Sequence, residues 1–99
     1  MRVQHDEDRC VLGLCGQLDL ATCPILDEQV DASIASAPQL VRLELGDLEF
    51  MDSTGLRSLL RAVRLYADAR IELQLTPASS QVQRLFELTD VLARLPFVD

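Results

Sequence analysis

The chain has no lysine and no tryptophan, a single histidine, and only 4% aromatic residues. Without lysine it cannot carry the glycine-rich phosphate loop that ends in that residue. With so few rings, its core has to be assembled from Leu, Val, Ile and Ala. No apolar run reaches the roughly 18 residues that a membrane-spanning helix needs, so membrane insertion is not expected. The opening stretch, Met1 to Arg9, is charged from its start and lacks the apolar centre of a secretory signal. A soluble, cytoplasmic protein is the expectation. Cys10, Cys15 and Cys23 are odd in number and form no CxxC pair, and His5 is far from any ligand spacing. They read as reduced thiols of an intracellular fold, with no metal site and no cofactor. Cys10 and Cys15 are five apart on one strand, which puts them on opposite faces. Cys23, at a helix start, is expected to be partly exposed.

What is present suits a single domain over residues 1–99. Apolar residues make up 48% and charged residues 25%, an ordinary globular balance. The net charge of −7 argues against nucleic-acid binding, which depends on cations to displace phosphate counterions. All nine basic residues are arginine. Three of them, Arg57, Arg61 and Arg64, fall on one helix and read as a solvated stripe.

Hydrophobic patterning gives an alternating order of strands and helices. After an extended start near Val3, Cys10 to Cys15 is apolar on both faces and suits a buried strand. Gly16-Gln17-Leu18-Asp19 then reads as a loop. Thr22 and Pro24 fit the cap and first turn of a helix whose core stripe is Leu26, Val30 and Ile34 and which Pro38 ends. Leu40 to Leu45 alternates as a second strand. A helix from about Ser53 to Ala67 follows, with Leu56, Leu59, Leu60 and Val63 as core residues. Ile71 to Leu75 is a third strand, and Thr76-Pro77 opens a third helix with Val82, Leu85 and Phe86 buried. The tail, Leu95 to Val98, offers one more short strand. Such alternation implies an α/β fold, with helices packed on a mixed, mostly parallel β-sheet.

In sheets of this kind, functional groups gather where strands end and helices begin. The segment Leu45 to Leu56 lies at such a junction. Asp52 is placed to cap the helix, with Ser53 and Thr54 in its first turn and their hydroxyls toward solvent. Gly55 costs that helix about 1 kcal/mol relative to alanine. Two readings stand side by side. One is ordinary capping, with Gly55 letting the helix pack on a strand; the other is a site built on Ser53. Nucleophilic catalysis would require a base, and His5 is in the N-terminal strand region. No enzyme activity is therefore expected.

The run Phe50-Met51-Asp52-Ser53-Thr54-Gly55-Leu56, between a strand and an apolar helix, resembles the signature of bacterial STAS-domain anti-sigma-factor antagonists. Gly16-Gln17-Leu18-Asp19 resembles that family's Gly-Glu-Leu-Asp, and Pro77 to Leu88 resembles its third helix. The resemblance implies a protein that binds an anti-sigma factor serine kinase and so releases a sigma factor. It implies inactivation by phosphorylation at Ser53 (Thr54 being the less favoured acceptor) and restoration by a metal-dependent serine phosphatase. It assigns partner contacts to Asp19, Asp52, Ser53, Thr54, Gly55 and Arg57, with Asp19 beside Asp52 at one sheet edge. The chain departs from the pattern at Arg57, where the family more often has a small residue, and at Gln17, which replaces an acid. The family's final helix looks shortened or absent. Two alternatives retain the fold: a subunit of a larger assembly, such as a lipid-transport complex or stress-signalling scaffold, and a module holding a small ligand between Asp19 and Ser53.

Overall fold

A computed structural model describes residues 1–98. The alternation in the sequence becomes four strands and three helices. These are β1 (Arg2–His5), β2 (Arg9–Leu18), α1 (Cys23–Ala35), β3 (Leu40–Met51), α2 (Ser53–Asp68), β4 (Glu72–Leu75) and α3 (Ser80–Leu88), followed by a 3-10 turn at Leu92–Arg94. The sheet order is β1-β2-β3-β4. β1 and β2 form an antiparallel hairpin, while β2–β3 and β3–β4 run parallel. The mixed, mostly parallel sheet of the sequence reading is therefore observed. The tail contributes less than a strand. Leu75 and Phe97 form a single parallel bridge, held by Leu75 N–H on the Pro96 carbonyl (3.0 Å) and Val98 N–H on the Leu75 carbonyl (2.8 Å).

Cys10, Leu12, Leu14, Val41, Leu43, Leu45 and Leu75 are all buried on one sheet face and form one cluster with Leu26, Val30, Leu59, Tyr66, Val82 and Phe86 from the helices. Each fully buried leucine stabilises the fold by about 1.5–3 kcal/mol. The other face is polar: Arg9 is exposed, and Val11, Arg42 and Glu44 are half-buried. β2 is thus buried on one face, not on both. Cys10 is buried and Cys15 exposed, as their odd spacing requires. Cys23 is buried too, because its side of the first turn of α1 packs against Ser58 of α2.

Three expected boundaries move, and one expected cap bond is not made. Gly16 to Leu18 belong to β2, because the ten residues of β2 pair with twelve of β3 and register shifts absorb the difference. Gly16, at φ 74°, supplies backbone freedom at one of them. For the same reason β3 runs past Leu45 to Met51. Thr22 occupies the cap position of α1, yet its hydroxyl turns back to donate to the Gln17 carbonyl (2.8 Å) and makes no cap bond. α3 begins at Ser80, not at Thr76-Pro77. Thr76 Oγ1 is taken by Leu45 N–H (2.9 Å), and Ser79 caps the helix through Val82 N–H.

The core stripe of α2 is also displaced. Leu56 and Leu59 are buried as expected, but Leu60 and Val63 lie at the margin, and the deepest positions are Leu59, Ala62 and Tyr66. Tyr66 has no exposed surface, and its hydroxyl bonds Ser33 Oγ at 2.6 Å. Ser33 in turn donates to the Val30 carbonyl (2.8 Å), so the Tyr66 hydroxyl is the donor to Ser33. Burial pushes the phenol up to about 12, outweighing the Ser33 bond, which lowers it. The unfolded chain releases that proton near pH 10. Folded protein binds more protons between pH 10 and about 12, so stability falls as pH rises through that window. Denaturant titrations at pH 8 and pH 11 should show this alkaline loss in the wild type and a reduced loss in Tyr66→Phe. At pH 8 the variant should itself be about 1 kcal/mol less stable, through the lost buried hydrogen bond.

Candidate functional site

Parallel pairing brings the ends of β2 and β3 together, with Leu18 opposite Met51. Each strand then gives way to an aspartate. Asp52 N–H donates to the Leu18 carbonyl (3.3 Å), and its backbone stays extended at φ −101°, ψ −174°. In that conformation Oδ1 accepts Gly55 N–H at 2.8 Å, while the Asp52 carbonyl takes the first helical bond from Leu56 N–H (2.9 Å). Asp52 is the helix cap that the sequence indicated. Asp19 does comparable work in the neighbouring loop, where Oδ1 accepts Ala21 N–H (3.0 Å) and Thr22 N–H (3.1 Å). Both carboxylates are engaged by backbone amides of their own turns.

Gly55 is fixed by contact. A Cβ at this position would sit 2.2 Å from the Leu18 carbonyl oxygen and 2.9 Å from Met51 Cγ. The first turn of α2 therefore lies directly on the end of β2, closer than any side chain allows. This favours the packing explanation for the glycine itself. It also fixes the rotation of the helix, leaving Ser53 exposed, Thr54 half-buried and Arg57 exposed. His5 pairs with Cys10 at the far end of β2 from Asp19, remote from Ser53.

Sequence reasoning missed two features. The first is a polar seam between α1 and α2. Ser58 Oγ donates to Asp27 Oδ1, and Arg61 reaches Asp27 at 3.4 Å and Asp31 at 3.1 Å. Arg61 is consequently not a solvated stripe residue like its neighbours. The matching spacings, Asp27/Asp31 on one helix and Ser58/Arg61 on the other, were the available signal. Cys23 lies against this seam. Burial raises its thiol pKa most, the Ser58 hydroxyl opposes that, and Asp27, Asp52 and Asp19 raise it further. The second is a set of exposed apolar side chains at this end of the sheet: Leu20 (75%), Ile25 (52%) and Phe50 (42%). Their signal was that Leu20 falls in a loop and Ile25 off the stripe of its helix. The apolar hollow between Leu18, Thr22, Ile25 and Leu48 measures about 80 Å³, well below the few hundred cubic ångströms of a small-molecule site.

The family model described as "Mlab, STAS domain" matches residues 1–96. The chain is 29% identical over 86 residues to an anti-sigma-B factor antagonist of Listeria monocytogenes, covering 87% of this chain and 75% of that protein. Among solved structures it resembles a putative anti-sigma factor antagonist from Thermotoga maritima, with a TM-score of 0.87, 17% identity, and coverage of 99% and 85% of the two chains. It also resembles the anti-sigma factor antagonist SpoIIAA in its unphosphorylated form, with a TM-score of 0.80, 19% identity, and coverage of 99% and 87%. At these identities the structural likeness concerns the fold.

Two expectations follow from the packing. By helix propensity alone, Gly55→Ala should stabilise α2 by about 1 kcal/mol. The contact with Leu18 reverses the sign, and a net loss of about 1–3 kcal/mol is expected in chemical denaturation. Thiol titration of the native protein should detect Cys15 at once, with Cys10 and Cys23 reacting only on unfolding, since both are buried with raised thiol pKa values. A disulfide that survives denaturation without reductant would overturn this.

Proposed function

The chain belongs to the STAS domain family, and from that premise we propose that it is an anti-sigma-factor antagonist switched by phosphorylation of Ser53. In its unphosphorylated form it binds an anti-sigma factor serine kinase, and the sigma factor is released. Transfer of a phosphate to Ser53 ends that binding, and a metal-dependent serine phosphatase restores it. The protein is the substrate in this cycle and performs no catalysis of its own.

The observation that carries the reading is the exposure of Ser53 at the first position of α2, beside a cap already satisfied by Asp52. A phosphate brings about −1.5 to −2 charges at neutral pH. Free amides at a helix start tolerate that charge within the folded domain. A closed interface does not, because there the charge must be desolvated. Exposed Leu20, Ile25 and Phe50 supply apolar contact area around the same end of the sheet. Asp47 and Glu49 are also exposed on β3 and add like charge. Phosphorylation would therefore disrupt docking while leaving the fold intact.

Incubation with the cognate kinase and ATP should add one phosphate, and peptide mapping should place it on Ser53. Mapping to Thr54, Ser79 or Ser80 would refute the assignment. In calorimetric titration against the kinase, Ser53→Ala should bind like the wild type. Ser53→Asp should lose about 1–3 kcal/mol, the cost of an unsatisfied charged group at an interface, with unchanged thermal melts. Equal affinity for folded wild type and Ser53→Asp would mean that charge here does not operate the switch.

A further inference from the structure

The nine arginines are the protein's whole complement of basic side chains apart from His5, set against sixteen carboxylates. Three of them converge. Arg57 and Arg64 of α2 and Arg94 of the 3-10 turn line one open groove of about 500 Å³, together with Leu60 and, on its α1 side, Cys23 and Asp27, the one carboxylate in the lining. Arg61 also lines it but is held by Asp27 and Asp31. Arg57, Arg64 and Arg94 pair with no carboxylate among the described residues. Arg94 also lines a second, separate hollow of about 230 Å³, with Val63, Ala67, Ile71, Leu73 and Pro96. Leu60, Val63 and Leu73 pack on the core but are only partly covered. Residues 57, 60, 64 and 67 follow helical spacing, so the groove and the hollow together track about 15 Å of α2.

We propose that this groove seats an acidic amphipathic helix supplied by a partner protein. Its apolar face would lie on Leu60, Val63 and Leu73, with its carboxylates meeting Arg57, Arg64 and Arg94. Charge identifies the occupant. A molecule of net charge −7 repels an acidic segment over most of its surface, and attracts one where three arginines with no carboxylate partner among the described residues line a single groove. The apolar floor selects a segment with an apolar face over a bare anion, because an anion would gain nothing from leucine and valine. About three turns of helix would span the length of groove and hollow together. The site starts at Thr54, next to Ser53, but its chemistry does not require phosphorylation, so it stands or falls separately from the switch.

The test is an NMR titration of the isotope-labelled protein with a model helical peptide of about five turns. The peptide carries leucines at helical spacing along one face and glutamate at its other positions. Shift changes should be confined to residues 54–73 and 92–96, with Cys23 and Asp27 at the groove's α1 side. Apparent affinity should fall about tenfold or more in the Arg57→Glu/Arg64→Glu/Arg94→Glu variant, and should also weaken as salt rises from about 50 to 500 mM. Thermal melts check that the variant is folded, and Arg94→Glu alone, on the surface turn, serves if it is not. Absence of saturable binding, equal binding by the variant, or shifts centred on other residues would overturn the proposal. So would equal binding of a lysine-for-glutamate peptide, or of polyglutamate without leucines.

Discussion

The contact between Gly55 and the Leu18 carbonyl determines how α2 sits on the sheet. With the α-carbon of a helix pressed onto the end of a neighbouring strand, there is no room for the first turn to rotate or slide. Asp52 holds the same junction from two sides, donating its N–H to Leu18 and accepting Gly55 N–H. Ser53 is exposed because its neighbours two residues away on either side, Met51 and Gly55, are both buried. The exposed hydroxyl thus results from rigid backbone packing and owes nothing to loop mobility.

The outer surface of α2 divides along its length. On the α1 side, Ser58 and Arg61 are tied to Asp27 and Asp31, and the charges cancel locally. Arg57 and Arg64 line the same groove as Arg61 but have no such partners among the described residues, and Arg94 joins them. One helix therefore presents three surfaces: a buried face that fixes its position, a neutralised seam, and a cationic flank. The buried face is anchored at its far end by the Tyr66–Ser33 hydrogen bond, which closes the α1–α2 contact inside the core.

Chain termination of the helices is equally local. α2 and α3 end with left-handed residues, Arg70 and Asp90. After α2, Arg70 and Ile71 N–H groups bond the Ala67 and Tyr66 carbonyls; after α3, Asp90 and Val91 N–H groups bond those of Glu87 and Phe86. This is the helix-ending pattern that glycine usually serves. Here the following apolar residue, Ile71 or Val91, is buried and holds the turn without glycine. α1 ends similarly at Ala37, where Pro38 stands in place of the second donor.

The alternation of strands and helices, the Asp52 cap and the inward stripes of α1 and β3 were legible from the residues, because each rests on local periodicity or a single capping bond. The family was legible too, since Asp52-Ser53-Thr54-Gly55 and Gly16-Gln17-Leu18-Asp19 are contiguous runs at fixed places in the order of elements. Other features depended on tertiary structure. The extension of β2 through Gly16 and of β3 to Met51 follows from pairing register, which neither strand encodes alone. The loss of Thr22 and Thr76 as helix caps reflects partners brought up by the fold, Gln17 for one and Leu45 for the other. Arg61 and Arg64 look alike in sequence, three residues apart on one helix. Only the approach of α1 gives Arg61 its carboxylates and, among the described residues, gives Arg64 none, because an ion pair is a property of two surfaces and a sequence displays one at a time.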